Sequence, residues 1–439
     1  MDNILFARWQ MGISLVFHII FACIGIAMPL MMVISEYLWH KTQDNDFLLL
    51  TKAWAKGTAV FFAVGAVSGT VLSFELGLLF PEFMRHAGGV IGMPFSLEGF
   101  AFFTEGIFLG IYLYGWDRIS KRMHLFAGII VAISGASSAV FVIMANAWMN
   151  TPTGFRLENG VFTDVDPIAA MLNPSSLHLI SHMLLAAYMA TGFAVAAIHA
   201  YVLLKFPNSG FHKKALAISL FLTVPCAVLQ PAVGHFAGMQ VAKNQPMKLA
   251  AMESQFKTEK GAPLRIGGIP DAKTRTTSFA IEIPGGLSFL ANGDFGSEVK
   301  GLEEFPETDW PHEAVHYAFQ FMVALGSYLL FISLWAALTW VRKGWTDYGR
   351  KFLIAAVIGG PMGFLAMEFG WIVTEMGRQP WVIYNIMRTS DSVTPMPGLF
   401  VPMTVFTLIY LALGVTVISI LRRHVKASPV YAERTKEGA

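Results

Sequence analysis

Stretches of twenty or more residues almost free of charge recur along the chain, separated by short connections in which Lys, Arg, Asp and Glu collect. Two of them, "GISLVFHIIFACIGIAMPLMMVI" over 12–34 and "GLFVPMTVFTLIYLALGVTVISIL" over 398–421, contain no charged residue at all. A helix rises about 1.5 Å per residue, so about 20 apolar residues cross a bilayer. On this pattern nine spans are predicted, at 10–34, 56–80, 94–116, 124–148, 177–203, 214–236, 314–340, 352–375 and 398–421. The expected fold is all-α, a polytopic membrane protein of about nine transmembrane helices arranged as helical bundles. The first run is too long for a signal peptide, and Asp2 stands where a basic segment would precede one. It is expected to remain as an anchor.

Composition agrees. Charged residues make up 14% of the 439, against about 25% in soluble domains, and mean hydropathy is +0.55. A net charge of +2 gives no support to nucleic-acid binding. Cys23 and Cys226 both fall in apolar spans, which excludes a disulfide framework and a CxxCH attachment, so any haem is held without thioether bonds. Basic residues set the orientation. Lys41, Lys52, Lys56, Arg118, Lys121, Arg122, Lys205, Lys213, Lys214, Arg342, Lys343, Arg350 and Lys351 share one side with the tail residues Arg422, Arg423, Lys426, Arg434 and Lys436. The other side holds little more than Arg85, Arg156, Arg378 and Arg388. The N-terminus is thus expected outside and the C-terminus in the cytoplasm. The chain divides into spans one to six (1–236), an outer loop (237–313), spans seven to nine (314–423) and a cytoplasmic tail (424–439). The loop is too long for a mere link. It carries turn signals in "RIGGIPD" and "EIPGG" and a strand-like run, "TTSFAIEI".

Polar residues inside the spans carry the chemistry. In "LEGFAFFTEGIFLGIYLYGWDR" (97–118), Glu98 and Glu105 lie seven apart and so share one helix face. A carboxylate in hydrocarbon costs about 2.5–3.5 kcal/mol even on lenient scales and marks a functional site by default. The spans place His18, Glu98, His182, Met322 and Glu375, from five helices, in one outer layer. Singly, each has a plainer reading: a histidine bonded in the core, a methionine as filler, or Glu375 paired with Arg378 three residues on. Together they suit haem. Imidazole and thioether are a standard low-spin axial pair, whereas a lone His or carboxylate leaves an iron position open. His182 and Met322 fit the first role, His18 and Glu375 the second. A proton-coupled transporter would account for the acids but not for the His/Met layer. An electron-transfer cytochrome b would need paired histidines on facing helices; His178 and His182 stand four apart on one helix.

The blocks "GFAFFTEGIFLGIYLYGWDR", "ANAWMNTP" (145–152), "QPMKLAAMES" (245–254) and "GWIVTEMGRQPW" (370–381) resemble subunit I of cytochrome bd quinol oxidase, and the likeness runs from "ARWQMGISLVFH" to the last span. The resemblance implies three haems, two b and one d or a third b. His182 and Met322 would ligate the low-spin haem b, and His18 and Glu375 the other two. Glu98 would lie beside that pair, Glu105 on the proton route, and Trp371 and Arg378 against the haems. Asp117 is either an entrance to that route or a solvated residue beside Arg118. Lys248 and Glu253 match the outer-loop residues of quinol oxidation, ubiquinol or menaquinol. The resemblance further implies O2 reduced to water without pumping, in the bacterial cytoplasmic (inner) membrane. It also implies a second large subunit and allows small single-span ones. Three features depart from the commonest pattern: Gln320 where many members have Arg, His235 where others have an acid, and a short loop. They resemble the cyanide-insensitive branch.

Overall fold

Residues 3–426 are described by the computed structural model, and among them nine helices are long and apolar enough to cross a membrane. In chain order the helices are α1 (Asn3–Thr42), α2 (Asn45–Leu79), α3 (Pro81–Tyr114), α4 (Lys121–Asn150), α5 (Pro167–Met171), α6 (Ser176–Lys205), α7 (Gly210–Asn244), α8 (Pro246–Glu253), α9 (Gly286–Asn292), α10 (Ala314–Lys343), α11 (Arg350–Met376), α12 (Thr389–Ser392) and α13 (Phe400–Lys426). Each predicted span lies almost wholly within one of the nine long helices; the tail beyond Lys426, with Arg434 and Lys436, lies outside the described residues.

Several helices start earlier than hydropathy predicts, for local reasons. The Asp44 side chain accepts from the Asp46 amide and starts α2 ahead of its apolar run. Pro81 starts α3 at a position where a missing N–H costs nothing. The stretch 81–93 contains Glu82, Arg85 and His86 and reads as a connection. Yet Phe83, Ala87, Val90 and Ile91 recur at helical spacing and bury one face against Ala7, Leu79 and Trp148. Ser120 and Ser209 cap α4 and α7 by accepting from the amides of Met123 and His212.

The long helices form two four-helix groups. In one, α1 packs on α2 and α4, and α3 packs on α4; in the other, α6, α7, α10 and α11 pack together. Helix α13 runs along the outside of α1 and α2. The second group has a solid apolar interior built from Phe193, Leu216, Leu220, Leu329, Ile332 and Phe352. The first is filled by Met28, Met31, Met32, Leu50, Trp54 and Tyr112. Ile19, Cys23, Ile26, Ala187 and Met367 close the seam between them. Within the second group small residues let helices meet at backbone distance: a Cβ on Gly363 of α11 would lie 2.5 Å from Ala190 Cα on α6.

Six successive crossings, by α1, α2, α3, α4, α6 and α7, put the start of α1 and the segment 245–313 at one end of the molecule, here called the loop end. Helix α7 continues through Pro225 and Pro231 to Asn244, so the loop starts later than the predicted 237. The segment is folded. Leu264–Ile266 pairs with Ile281–Ile283, Ile269–Asp271 with Thr276–Ser278, and Glu259–Lys260 with Glu298–Val299. The strand-like run is therefore two strands, broken at Phe279 and Ala280, where Phe279 has φ of 60°.

Candidate functional site at the loop end

One face of α11 carries Glu368, Trp371 and Glu375, at helical spacings of three and four, and Arg378 follows in the turn after the helix. Glu375 is held at both oxygens. Asn146 of α4 donates to Oε1 at 2.5 Å, and Arg378 donates to Oε2 at 2.5 Å. The polar contacts continue toward the loop. Asn150 donates to Asn146 Oδ1 at 3.2 Å, and the Lys248 ammonium donates to Asn150 Oδ1 at 2.7 Å and to the Thr374 carbonyl at 3.2 Å. Lys248 sits on α8, which turns into the bundle and buries every residue from Met247 to Glu253. Burial pushes the Lys248 ammonium down to about 7; the Arg378 cation adds to this and the Glu375 carboxylate opposes it. Burial likewise pushes the Glu253 carboxyl up to about 8, with Arg265 opposing. Glu253 Oε2 has no hydrogen-bond partner.

The other sequence-predicted residues fall on four helix contacts. His18 Nδ1 lies 3.0 Å from Ser68 Oγ of α2, and a Cβ on Gly69 would meet His18 Cε1 at 2.9 Å. His182 is approached by Gln230 Nε2 at 3.2 Å, while its buried Nδ1 has no partner. Met322 Sδ would lie 3.2 Å from a Cβ on Gly370 of α11. Glu98 accepts from Ser138 at 3.3 Å, and buried Glu105 faces Gly135 and Gly25.

Helix α4 serves as a ruler for these levels: Gly135 faces Glu105, Ser138 meets Glu98, Asn146 meets Glu375 and Asn150 meets Lys248. Ser138 and Asn146 are eight residues apart, about 12 Å. Glu98 and Glu375 are therefore not at one depth, which corrects the single-layer reading. The cause is the early start of α3, which places Glu98 seventeen residues inside its helix instead of near its end. Asp117 is exposed in the turn after α3, in keeping with a solvated residue. Asn146, Asn150, Gln230 and Glu368 were not singled out by sequence reasoning. Glu368 had a visible signal, since it precedes Glu375 by seven, the spacing that exposed Glu98 and Glu105. Gln320 donates to the Arg265 carbonyl and accepts from the Gly267 amide, so where many relatives carry a cation this chain uses an amide to pin the loop.

The donor set fits haem. Among the described residues no three His, Cys, Asp or Glu gather around a common metal position. A porphyrin supplies four ligands itself and needs only one or two from the protein. His18, His182 and Met322 each lie against glycine, where a flat ring can come close. Around them, buried polar atoms lack partners: both Glu368 oxygens, Trp371 Nε1, Arg378 Nη1 and His182 Nδ1. Buried polar atoms are normally satisfied, and these have the chemistry to meet carboxylate side arms and an iron.

Residues 6–429 match the sequence profile described as Cytochrome bd terminal oxidase subunit I. The chain belongs to that family. A Bacillus subtilis (strain 168) protein provisionally named cytochrome bd menaquinol oxidase subunit I is 38% identical, with 98% of each chain covered. Cytochrome bd-II ubiquinol oxidase subunit 1 of Escherichia coli (strain K12) is 27% identical, over 88% of this chain and 89% of that one. The solved bd oxidase of Geobacillus thermodenitrificans matches with a TM-score of 0.92 at 38% identity, covering 98% of this chain and 99% of its own. Cytochrome bd subunits of this family are multi-pass membrane oxidoreductases of the terminal quinol oxidases, and haem comes with the family.

Proposed function

We propose that this chain oxidises quinol at its loop end and takes part in reducing O2 to water, with the loop outside and protons drawn from the cytoplasm. The observation that carries the reading is the unbroken polar contact from Lys248 on the loop helix, through Asn150 and Asn146, to Glu375. Lys248 and Glu253 bind the quinol oxygens. Glu253, whose free oxygen faces no donor, accepts the hydroxyl proton and releases it outside. His182 and Met322 would together hold one haem b; His18 and Glu375 would hold the remaining two, one b and one d, or both b. When bound, these groups carry electrons and offer iron with an open position to oxygen.

The protein's own part on the opposite side is to bring protons in. Glu105 and Glu98, on one face of α3, are steps of that path, and Ser138 orients Glu98. Trp371 and Arg378, each with a buried unpartnered nitrogen, would line the haem site. Charge is then separated without a pump, because protons enter from one side and leave on the other. Apolar side chains exposed on α2 and α3, among them Phe74, Leu78, Phe100, Phe103 and Ile107, are available to lipid and to a second large subunit. The setting is the bacterial cytoplasmic membrane.

Reduced-minus-oxidised spectra with haem extraction test the reading directly. The expected result is a low-spin b signal together with a component that binds carbon monoxide, and three haems per chain. Enzyme made with ample haem supply but lacking a Soret band would overturn it.

A further inference from the structure

The face of α3 that carries Glu98 and Glu105 has a third polar member at the same spacing. Tyr112 follows Glu105 by seven residues, is fully buried, and lies near the end of the helix away from the loop. Its hydroxyl donates to Glu36 Oε2 of α1 at 2.7 Å. The other oxygen of Glu36 lies 2.8 Å from His124 Nδ1 of α4. His124 Nε2 is 2.9 Å from the Tyr112 carbonyl. A carbonyl only accepts, so Nε2 carries a hydrogen. The short contact on the other side then holds exactly one more proton, resident on the imidazole or on the carboxyl. Glu36 and His124 are 1% and 3% exposed, so this proton is kept out of bulk water.

One residue connects the group to solvent. His40, one turn beyond Glu36, is 20% exposed and places Nε2 3.6 Å from Glu36 Oε1. That nitrogen makes no hydrogen bond. The rim is cationic: Lys52 lies over Trp116 at 4.9 Å and Lys121 over Trp39 at 4.7 Å. The titratable groups in hydrogen-bond or ion-pair reach of Glu36 are thus Tyr112, His124 and His40, with Lys52 and Lys121 over the nearby indoles. By contrast Asp117 stands exposed in the turn after α3.

We infer that His40, Glu36 and Tyr112, with His124 as the proton-holding partner of Glu36, form the inlet of the proton path that continues through Glu105 and Glu98. This rests on the oxidase reading above. A proton taken up at His40 passes to Glu36, whose acid form donates to the Tyr112 oxygen while the Tyr112 hydrogen leaves toward Glu105. The balance is one proton in and one proton out, with no electron transferred. The interval from Tyr112 to Glu105 is about 10 Å by helix rise and is lined by apolar side chains, so a transient file of water bridges it.

The test uses the purified complex in proteoliposomes, with oxygen uptake and anaerobic haem reduction by quinol measured on the same samples. Tyr112→Phe keeps the ring and removes only the hydroxyl. It should slow oxygen uptake about a hundredfold, the low end for loss of a proton-transfer group, while haem spectra and anaerobic reduction by quinol stay as in the parent. His40→Gly should slow uptake similarly and recover with imidazole supplied on the side away from the loop, which a purely structural contact would not do. Asp117→Asn should leave uptake unchanged. Parental uptake in Tyr112→Phe overturns the inlet, as does a loss in His40→Gly that imidazole leaves unmoved. A parent complex without quinol-dependent oxygen uptake overturns the underlying oxidase reading as well.

Discussion

The two four-helix groups distribute their buried acids differently. The group of α1 to α4 buries Glu36, Glu75 and Glu105 at levels spread through its thickness, from Glu36 beside the far turns to Glu75 near the loop end. The group of α6, α7, α10 and α11 keeps its buried acids, with His182 and Met322, in its loop half; below them large apolar side chains fill the interior as far as the buried His199–His212 pair at the other end. A carboxyl buried in hydrocarbon is costly wherever it sits, so the difference reflects what each group must transmit. The first has groups able to hand a proton across the membrane. The second has groups able to hold a cofactor in its loop half, above an apolar interior.

The comparison breaks most visibly at the ligands. Met322→Leu keeps the volume and removes the sulfur, and should convert the low-spin band to high-spin in reduced spectra; an intact low-spin signal would assign that iron another ligand. Next in size, Glu105→Gln should slow oxygen consumption at least about tenfold with spectra near normal, and unchanged turnover would remove the first group's claim to proton transfer. Glu253 sharpens the contrast at the loop. Its carboxyl, pushed up to about 8, is about nine-tenths protonated at neutral pH and so is mostly unable to accept a proton. Quinol oxidation should therefore rise with pH and level off above about 8, and Glu253→Gln should abolish the rise. Because the Arg265 cation favours the carboxylate, Arg265→Met should move the inflection to higher pH. The smallest effect concerns packing alone. Gly363→Ala forces α11 from Ala190 and should cost about 1–3 kcal/mol, read as a few degrees in the temperature of haem loss with turnover unchanged below it.

Much of the molecule could be read along the chain. Nine apolar runs fix nine helices because only a helix satisfies every backbone group within hydrocarbon. The spacing of Glu98 and Glu105 put them on one face, as observed. Helix ends were less legible. The first turns of α2 and α3 are polar and interfacial, and they are held by the Asp44 cap and by the packing of Phe83 and Val90 rather than by hydropathy. Residues of the site that act through a neighbour stayed hidden. Asn146 and Asn150 are ordinary amides until Glu375 and Lys248 arrive from segments more than ninety residues away.

By itself, then, the sequence determined that the chain crosses a membrane nine times, which side chains lie within those crossings, and that His18, His182, Met322 and Glu375 are of the kinds that bind iron. Only the tertiary structure decided their levels, the partners of Glu375, and the meeting of Glu36, Tyr112 and His124 at the far end. Hydropathy is a property of each segment in isolation, whereas a hydrogen bond between helices depends on their relative height and rotation. Those are set by contacts such as Gly363 on Ala190, which no single segment contains.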